Sequence, residues 1–221
     1  MQSEIQLRGA DPPRRPRSAK TFTASEAQRF ANQKRSWQQL ELLLAVNFPT
    51  PGSGIVGVAT FDDAHRPVSR RETQRRFKYF LKKIRTERQR LDLPPPVVIE
   101  TPEVLTSESG HWHTRFVIDA TGHDFALLRR CWIYGSDLDL QLLRVDSRKN
   151  HETLSRYMTK ELREVQDYES RPGLHGWSCT RNARRPEVDV MIVDDNFRLE
   201  IPAGCESLQH DPNVIKYRTA L

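Results

Sequence analysis

One stretch of nine residues, Gly110-His111-Trp112-His113-Thr114-Arg115-Phe116-Val117-Ile118, restricts this chain more than any other. It reads as a strand, and successive side chains of a strand point to opposite faces. His111, His113 and Arg115 therefore share one face, while Trp112, Thr114, Phe116 and Ile118 share the other. The first face can hold a metal and a phosphate while the second packs into a core. About forty residues later comes Tyr157-Met158-Thr159-Lys160, inside a helical pattern whose apolar stripe is Leu154, Met158, Leu162 and Val165. Residues three apart on a helix are neighbours, which sets Lys160 beside Tyr157. Two imidazoles for a divalent cation, with a tyrosine beside a cation, form the kit of a phosphodiester-cutting transesterase.

The rest of the chain supplies a frame for these two motifs. Residues 1–22 contain Asp11-Pro12-Pro13-Arg14-Arg15-Pro16-Arg17 and read as a disordered basic arm. Thr23-Ala24-Ser25-Glu26 has capping-box spacing and opens a helix to about Trp37. The apolar run from Leu40 to Phe48, stopped by Pro49-Thr50-Pro51-Gly52, favours a strand, with a helix as the alternative. Ile55 to Phe61 is a second strand, and the loop between them suggests a hairpin. Ser69-Arg70-Arg71-Glu72 is a capping box for a helix to about Leu91, with Phe77, Phe80, Leu81 and Ile84 as its buried stripe. Val97 to Glu100 is a short strand, followed by the His-Trp-His strand. A helix carrying Phe125, Leu128 and Trp132, a strand from Leu138 to Val145 and a helix from Asn150 to about Tyr168 complete the order.

That order is the split β-α-β arrangement of an α+β, ferredoxin-like fold with one extra helix. The expectation is an antiparallel sheet with helices on one face and the Tyr157 helix across the open, histidine-bearing face. The expected organisation is an arm over 1–22, a chemical domain over 23–170 and an extension over 171–221 with a hairpin from Val188 to Ile201. Gly52-Ser53-Gly54-Ile55-Val56-Gly57 spells G-x-G-x-x-G, but no helix starts after it; it is a turn, not a dinucleotide site. No phosphate-loop motif of a nucleotide-driven motor is present.

Lys and Arg total 35 against 29 Asp and Glu, for a net charge of +6. The excess is clustered, with ten basic residues between 69 and 91 against Glu72 and Glu87. A charge run on a helix is usually a solvated face; this ratio points to phosphate contact. Candidate contacts are Arg75, Lys78 and Lys82 on that helix, Arg115 on the histidine face and Arg156 beside the tyrosine. Cys131, Cys179 and Cys205 form no paired motif, which suits a reducing cytosol, and no apolar run approaches the ~20 residues of a membrane helix. A cytoplasmic protein that does not engage the membrane is expected.

A third ligand is needed beside His111 and His113, and a carboxylate from the neighbouring strand suits Mg²⁺ or Mn²⁺. Glu100, at the end of its strand, is the first choice, with Glu103 and Glu108 behind it. The metal would polarise a non-bridging phosphate oxygen. A tyrosine hydroxyl ordinarily titrates near a pH of about 10, so a nearby cation such as Lys160 is needed to favour the phenolate.

Gly110-His111-Trp112-His113 followed by Ser155-Arg156-Tyr157-Met158-Thr159-Lys160-Glu161 resembles the HUH endonucleases, specifically the single-tyrosine replication initiators of rolling-circle phages and plasmids. The resemblance spans roughly 40–168. It implies a ferredoxin-like sheet, a divalent cation held by His111 and His113, Tyr157 as nucleophile and Lys160 as its helper. It also implies nicking of single-stranded DNA at a replication origin through a 5′-phosphotyrosine intermediate, with a host helicase and polymerase as partners. A single-tyrosine transposase or relaxase of the same chemistry, and a non-catalytic ferredoxin-like nucleic-acid-binding domain, are the rival readings.

Overall fold

The computed structural model describes residues 2–6, 26–105, 111–120, 124–136, 138–145, 151–159, 176–186, 205–207 and 214–219. Strand β1 is Gln2–Gln6 and helix α1 is Glu26–Asn47. The apolar run at 40–48 is therefore the end of a helix and not a strand, and no hairpin joins it to the next element. Leu40, Leu42, Leu43, Leu44 and Ala45 are all buried, as is Glu41 between them. A helix wrapped on nearly every side loses the polar stripe that would betray its period. The turn after it is made by Gly52, at φ 76°, a left-handed conformation that favours glycine.

Strand β2 (Gly54–Thr60) follows, in keeping with the turn reading of the glycine triplet. Helix α2 (Arg70–Arg90) starts where the capping box placed it: the Ser69 side chain accepts from the Glu72 amide, and Glu72 Oε2 accepts from the Val68 amide. Phe77, Phe80 and Ile84 are buried as its core stripe. Strand β3 is Val98–Leu105, β4 is His111–Asp119, α3 is Asp124–Cys131, β5 is Leu138–Leu142 and α4 is Glu152–Thr159. A two-residue strand, β6 (Ser178–Cys179), completes an antiparallel sheet of order β5-β2-β4-β3-β6. The class is α+β, with four α-helices among the described residues, and the strand order is compatible with a ferredoxin-like fold.

Helices lie on both faces: α4 covers the second face as expected of the Tyr157 helix, and α1 lies there beside it against expectation. On one side Ile55, Ala59, Val98, Phe116 and Ile118 of the sheet meet Phe77, Phe80 and Ile84 of α2 and Leu127 and Leu128 of α3. On the other, Ile99 and Val117 meet Leu40, Leu43 and Leu44 of α1 and Met158 of α4. The extra covering helix is α1, whose helical nature the apolar run disguised. Gly57 stands opposite Phe116 in the β2–β4 pair and leaves room for its ring, since a Cβ there would lie 2.2 Å from it. Arg88, fully buried, ties α2 to the end of β4: Nη1 donates to Asp119 Oδ2 at 2.8 Å and Nη2 to the Asp119 carbonyl at 2.7 Å.

The expected boundaries shift at both ends. The sheet takes its edge strand β6 from beyond 170, so the sheet itself extends past the expected boundary. Gln2–Gln6, inside the expected arm, pairs with β8 (Val214–Thr219), which also pairs with β7 (Cys205–Ser207). The hairpin expected over Val188–Ile201 lies outside the described residues, as does the rest of the arm. Among the described residues no helix is long and apolar enough to cross a membrane.

Candidate functional site

The register of β3 against β4 decides which carboxylate meets the histidines. Glu103 pairs with His113 and Leu105 with His111, whereas Glu100 pairs with Phe116. Directly opposed residues of an antiparallel pair share a face, and the period is two. Glu100 therefore lies on the α2 face with Phe116, away from His111 and His113, and the first choice for the carboxylate is corrected to Glu103. Strand β3 does not end at Glu100 but runs through Pro102 to Leu105. Pro102 is tolerated because β6 pairs only with Ile99 and Glu100, which among the described residues leaves the rest of β3 on an edge.

Glu103 is fully buried and its Oε2 lies 3.0 Å from both His113 Nε2 and Arg115 Nε. Arg115 then reaches the next layer. Its Nη1 donates to the Tyr157 carbonyl at 2.6 Å, and its guanidinium sits 3.8 Å from the centroid of the Tyr157 ring. A chain of contacts thus runs from His113 through Glu103 and Arg115 to Tyr157, all on the face covered by α1 and α4. Tyr157 keeps 44% of its surface exposed although it touches this buried network. Helix α4 presents it this way because Ser155, Met158 and Thr159 form the buried side. Its first turn is fixed by His151, which donates from Nε2 to the Phe48 carbonyl at 2.9 Å. Burial holds the His151 imidazole down to about 4, so it stays neutral there.

His111 is half-buried and its Nε2 meets the guanidinium of Arg66, which also bonds Asp63 Oδ1 at 2.7 Å. Lys160 lies outside the described residues, as does Glu108. The cation seen at Tyr157 is Arg115, and it lies against the ring face. Arg156 stacks 4.5 Å from the Trp37 ring centroid and pairs with Glu152 at 2.6 Å, linking α4 to α1. Arg75, Lys78 and Lys82 lie on α2, behind the sheet as seen from Tyr157. The five expected phosphate contacts are therefore split over two sides of the molecule.

Among the described residues, no three His, Cys, Asp or Glu side chains converge as a metal cluster. The donor chemistry on this face still suits a divalent ion: two imidazoles and a carboxylate on adjacent strands, with His113 Nδ1 buried and without a hydrogen-bond partner. Sequence reasoning ranks Glu103 behind Glu100 and misses Arg66 and Trp37 altogether. For Glu103 a signal exists, since the pairing is symmetric about residue 108 and counting back from His113 leads to it. Arg66 and Trp37 reach their partners through tertiary packing, which no local pattern encodes. No family model, no curated protein and no solved structure matches the chain.

Proposed function

We propose that this chain nicks and rejoins single-stranded DNA through a tyrosine–phosphodiester intermediate, in the manner of the HUH replication initiators it resembles. In this reading β2-α2-β3 and β4-α3-β5 are the two interleaved halves of a ferredoxin-like sheet, and α4 is the catalytic helix. The observation that carries it is the partly exposed Tyr157 joined through Arg115 to the Glu103–His113 pair. A buried, charge-matched network holding one accessible hydroxyl-bearing side chain is the layout of an oriented nucleophile.

The step balances as a transesterification. Tyr157 loses its hydroxyl proton and its oxygen attacks phosphorus. The bond to the 3′-oxygen breaks, and that oxygen leaves with a proton. One strand end is then a 5′-phosphotyrosine and the other a free 3′-hydroxyl, whose attack reverses the reaction and joins strands. Arg115 is a positioning residue: it anchors the α4 backbone at Tyr157 and places positive charge against a ring that gains electron density as the phenolate forms. His111, His113 and Glu103 would hold Mg²⁺ or Mn²⁺, which supplies polarisation of a phosphate oxygen when bound. Origin recognition and loading of a host helicase and polymerase belong to the same proposal.

The pairing of Glu103 Oε2 with one imidazole and one guanidinium also fits a second reading, a nucleic-acid-binding domain whose network is purely structural. A denaturing gel separates the two. The chain, incubated with labelled single-stranded DNA and Mn²⁺, is expected to give an adduct that survives detergent, vanishes with chelator and is absent in Tyr157→Phe. Folded protein that binds the strand with neither cleavage nor adduct would replace the enzyme by the binding domain.

A further inference from the structure

On the other side of the sheet a cleft of about 690 Å³ opens between α2 and the β6 edge. Glu100 stands in its wall with Lys78 and Arg85 on one side and Arg181 on the other, over the apolar surface of Leu81 and Val98. Leu81 and Arg85 lie three and seven residues beyond Lys78 on α2, so one stripe of that helix serves the cleft. Glu100 is only 5% exposed. One carboxyl oxygen, Oε1, accepts from the Ser178 hydroxyl at 2.7 Å, while the other, Oε2, is buried without a hydrogen-bond partner. Buried polar atoms almost always find partners, and an unpartnered one just beneath the wall of a cleft marks where a ligand donor is missing. Burial also pushes the Glu100 carboxyl up to about 7, the Ser178 bond and the Lys78 charge only partly opposing it.

A matching ligand brings N–H donors to the carboxylate, a flat body to Leu81 and Val98, and an anionic group to the three cations. That is a nucleotide. We propose that this cleft takes one unstacked guanine nucleotide of a bound single strand, with Glu100 accepting from the base and Lys78, Arg85 and Arg181 holding its phosphate; the strand as source rests on the DNA-nicking reading above. Guanine offers two adjacent donors, N1–H and the 2-amino group, to one carboxylate, whereas thymine sets two carbonyls against it. The split of basic residues over two sides of the sheet then has a use: the strand passes from the α2 side, where one base is read, to the Tyr157 side, where it is cut.

The test measures binding of a labelled oligothymidine, the same oligomer with one central guanosine, and free GMP against TMP, by wild type and Glu100→Gln. Wild type is expected to prefer the guanosine strand by about tenfold, and Glu100→Gln, which replaces one acceptor by a donor, to lose that preference while keeping its affinity for oligothymidine. Lys78→Gln with Arg181→Gln is expected to weaken both strands together. Cutting through Tyr157 with no guanosine preference, or a preference that survives Glu100→Gln, would overturn the pocket and leave the nicking reading intact. Glu100-dependent GMP binding without strand binding would overturn the strand as source, and nicking with it. No binding of GMP or of any strand would overturn both.

Discussion

Glu100→Gln is expected to stabilise this protein at alkaline pH and to leave it unchanged in acid. The carboxyl is moved from its ordinary 4.5 to about 7 in the fold, chiefly because burial penalises the charged form. A raised acid pKa means that the native state binds the proton more tightly than the unfolded chain, so stability falls as pH rises from about 4.5 to about 7. Each pH unit across that window costs ~1.4 kcal/mol, and the full loss above it is about 3 kcal/mol. Glutamine keeps an acceptor for Ser178 and carries no charge to desolvate. Urea unfolding of both proteins at about pH 4 and about pH 8 reads the difference directly. The variant should exceed wild type by about 3 kcal/mol in alkali, on the order of 6–12 °C in melting temperature for a chain of this size, and match it in acid. An equal difference at both pH values, or a wild type more stable in alkali, would refute the assignment of Glu100 as a carboxyl held in the fold against its charge.

His151 supplies the opposite limb: its imidazole is held from 6.5 down to about 4, so stability is lost as pH falls through that window, and His151→Gln should flatten the acid limb of a stability-against-pH profile by about 3 kcal/mol. Glu103→Ala would leave His113 and Arg115 buried without their shared carboxylate, a loss of about 3–5 kcal/mol in urea unfolding; a loss under about 1 kcal/mol would mean that the network is not buried as described. Gly57→Ala drives a methyl into the Phe116 ring and should cost about 1–3 kcal/mol in the same assay, with a neutral result contradicting the Gly57–Phe116 pairing of β2 and β4.

Sequence exposes those parts of the fold where one physical rule acts alone. The Ser69–Glu72 box and the Phe77, Phe80, Ile84 stripe mark α2 because that helix has a dry side and a wet one. The alternation in β4 is legible although seven of its nine residues are buried, since its polar face still carries polar residues, now paired to Glu103 and Tyr157. Helix α1 is hidden for the converse reason, its stretch from Leu40 to Ala45 being buried at every position. Glu100 is misplaced when Pro94-Pro95-Pro96 and a polar turn are taken as the bounds of a short strand. The longer β3 reverses which glutamate faces the histidines, because register errors act through parity. Edge strand β6 and the Arg66–His111 contact come from distant segments, and local pattern carries no trace of them.

The proposed chemistry stands or falls on whether Tyr157 becomes covalently joined to DNA. The direct measurement is mass spectrometry of the trypsin-digested adduct formed on single-stranded DNA with Mn²⁺. Cleavage after Arg156 and Lys160 isolates the peptide 157–160. A nucleotide-phosphate mass on that peptide, localised to Tyr157, is the expected result. A modified tyrosine elsewhere, or strand cleavage with every tyrosine unmodified, would contradict it.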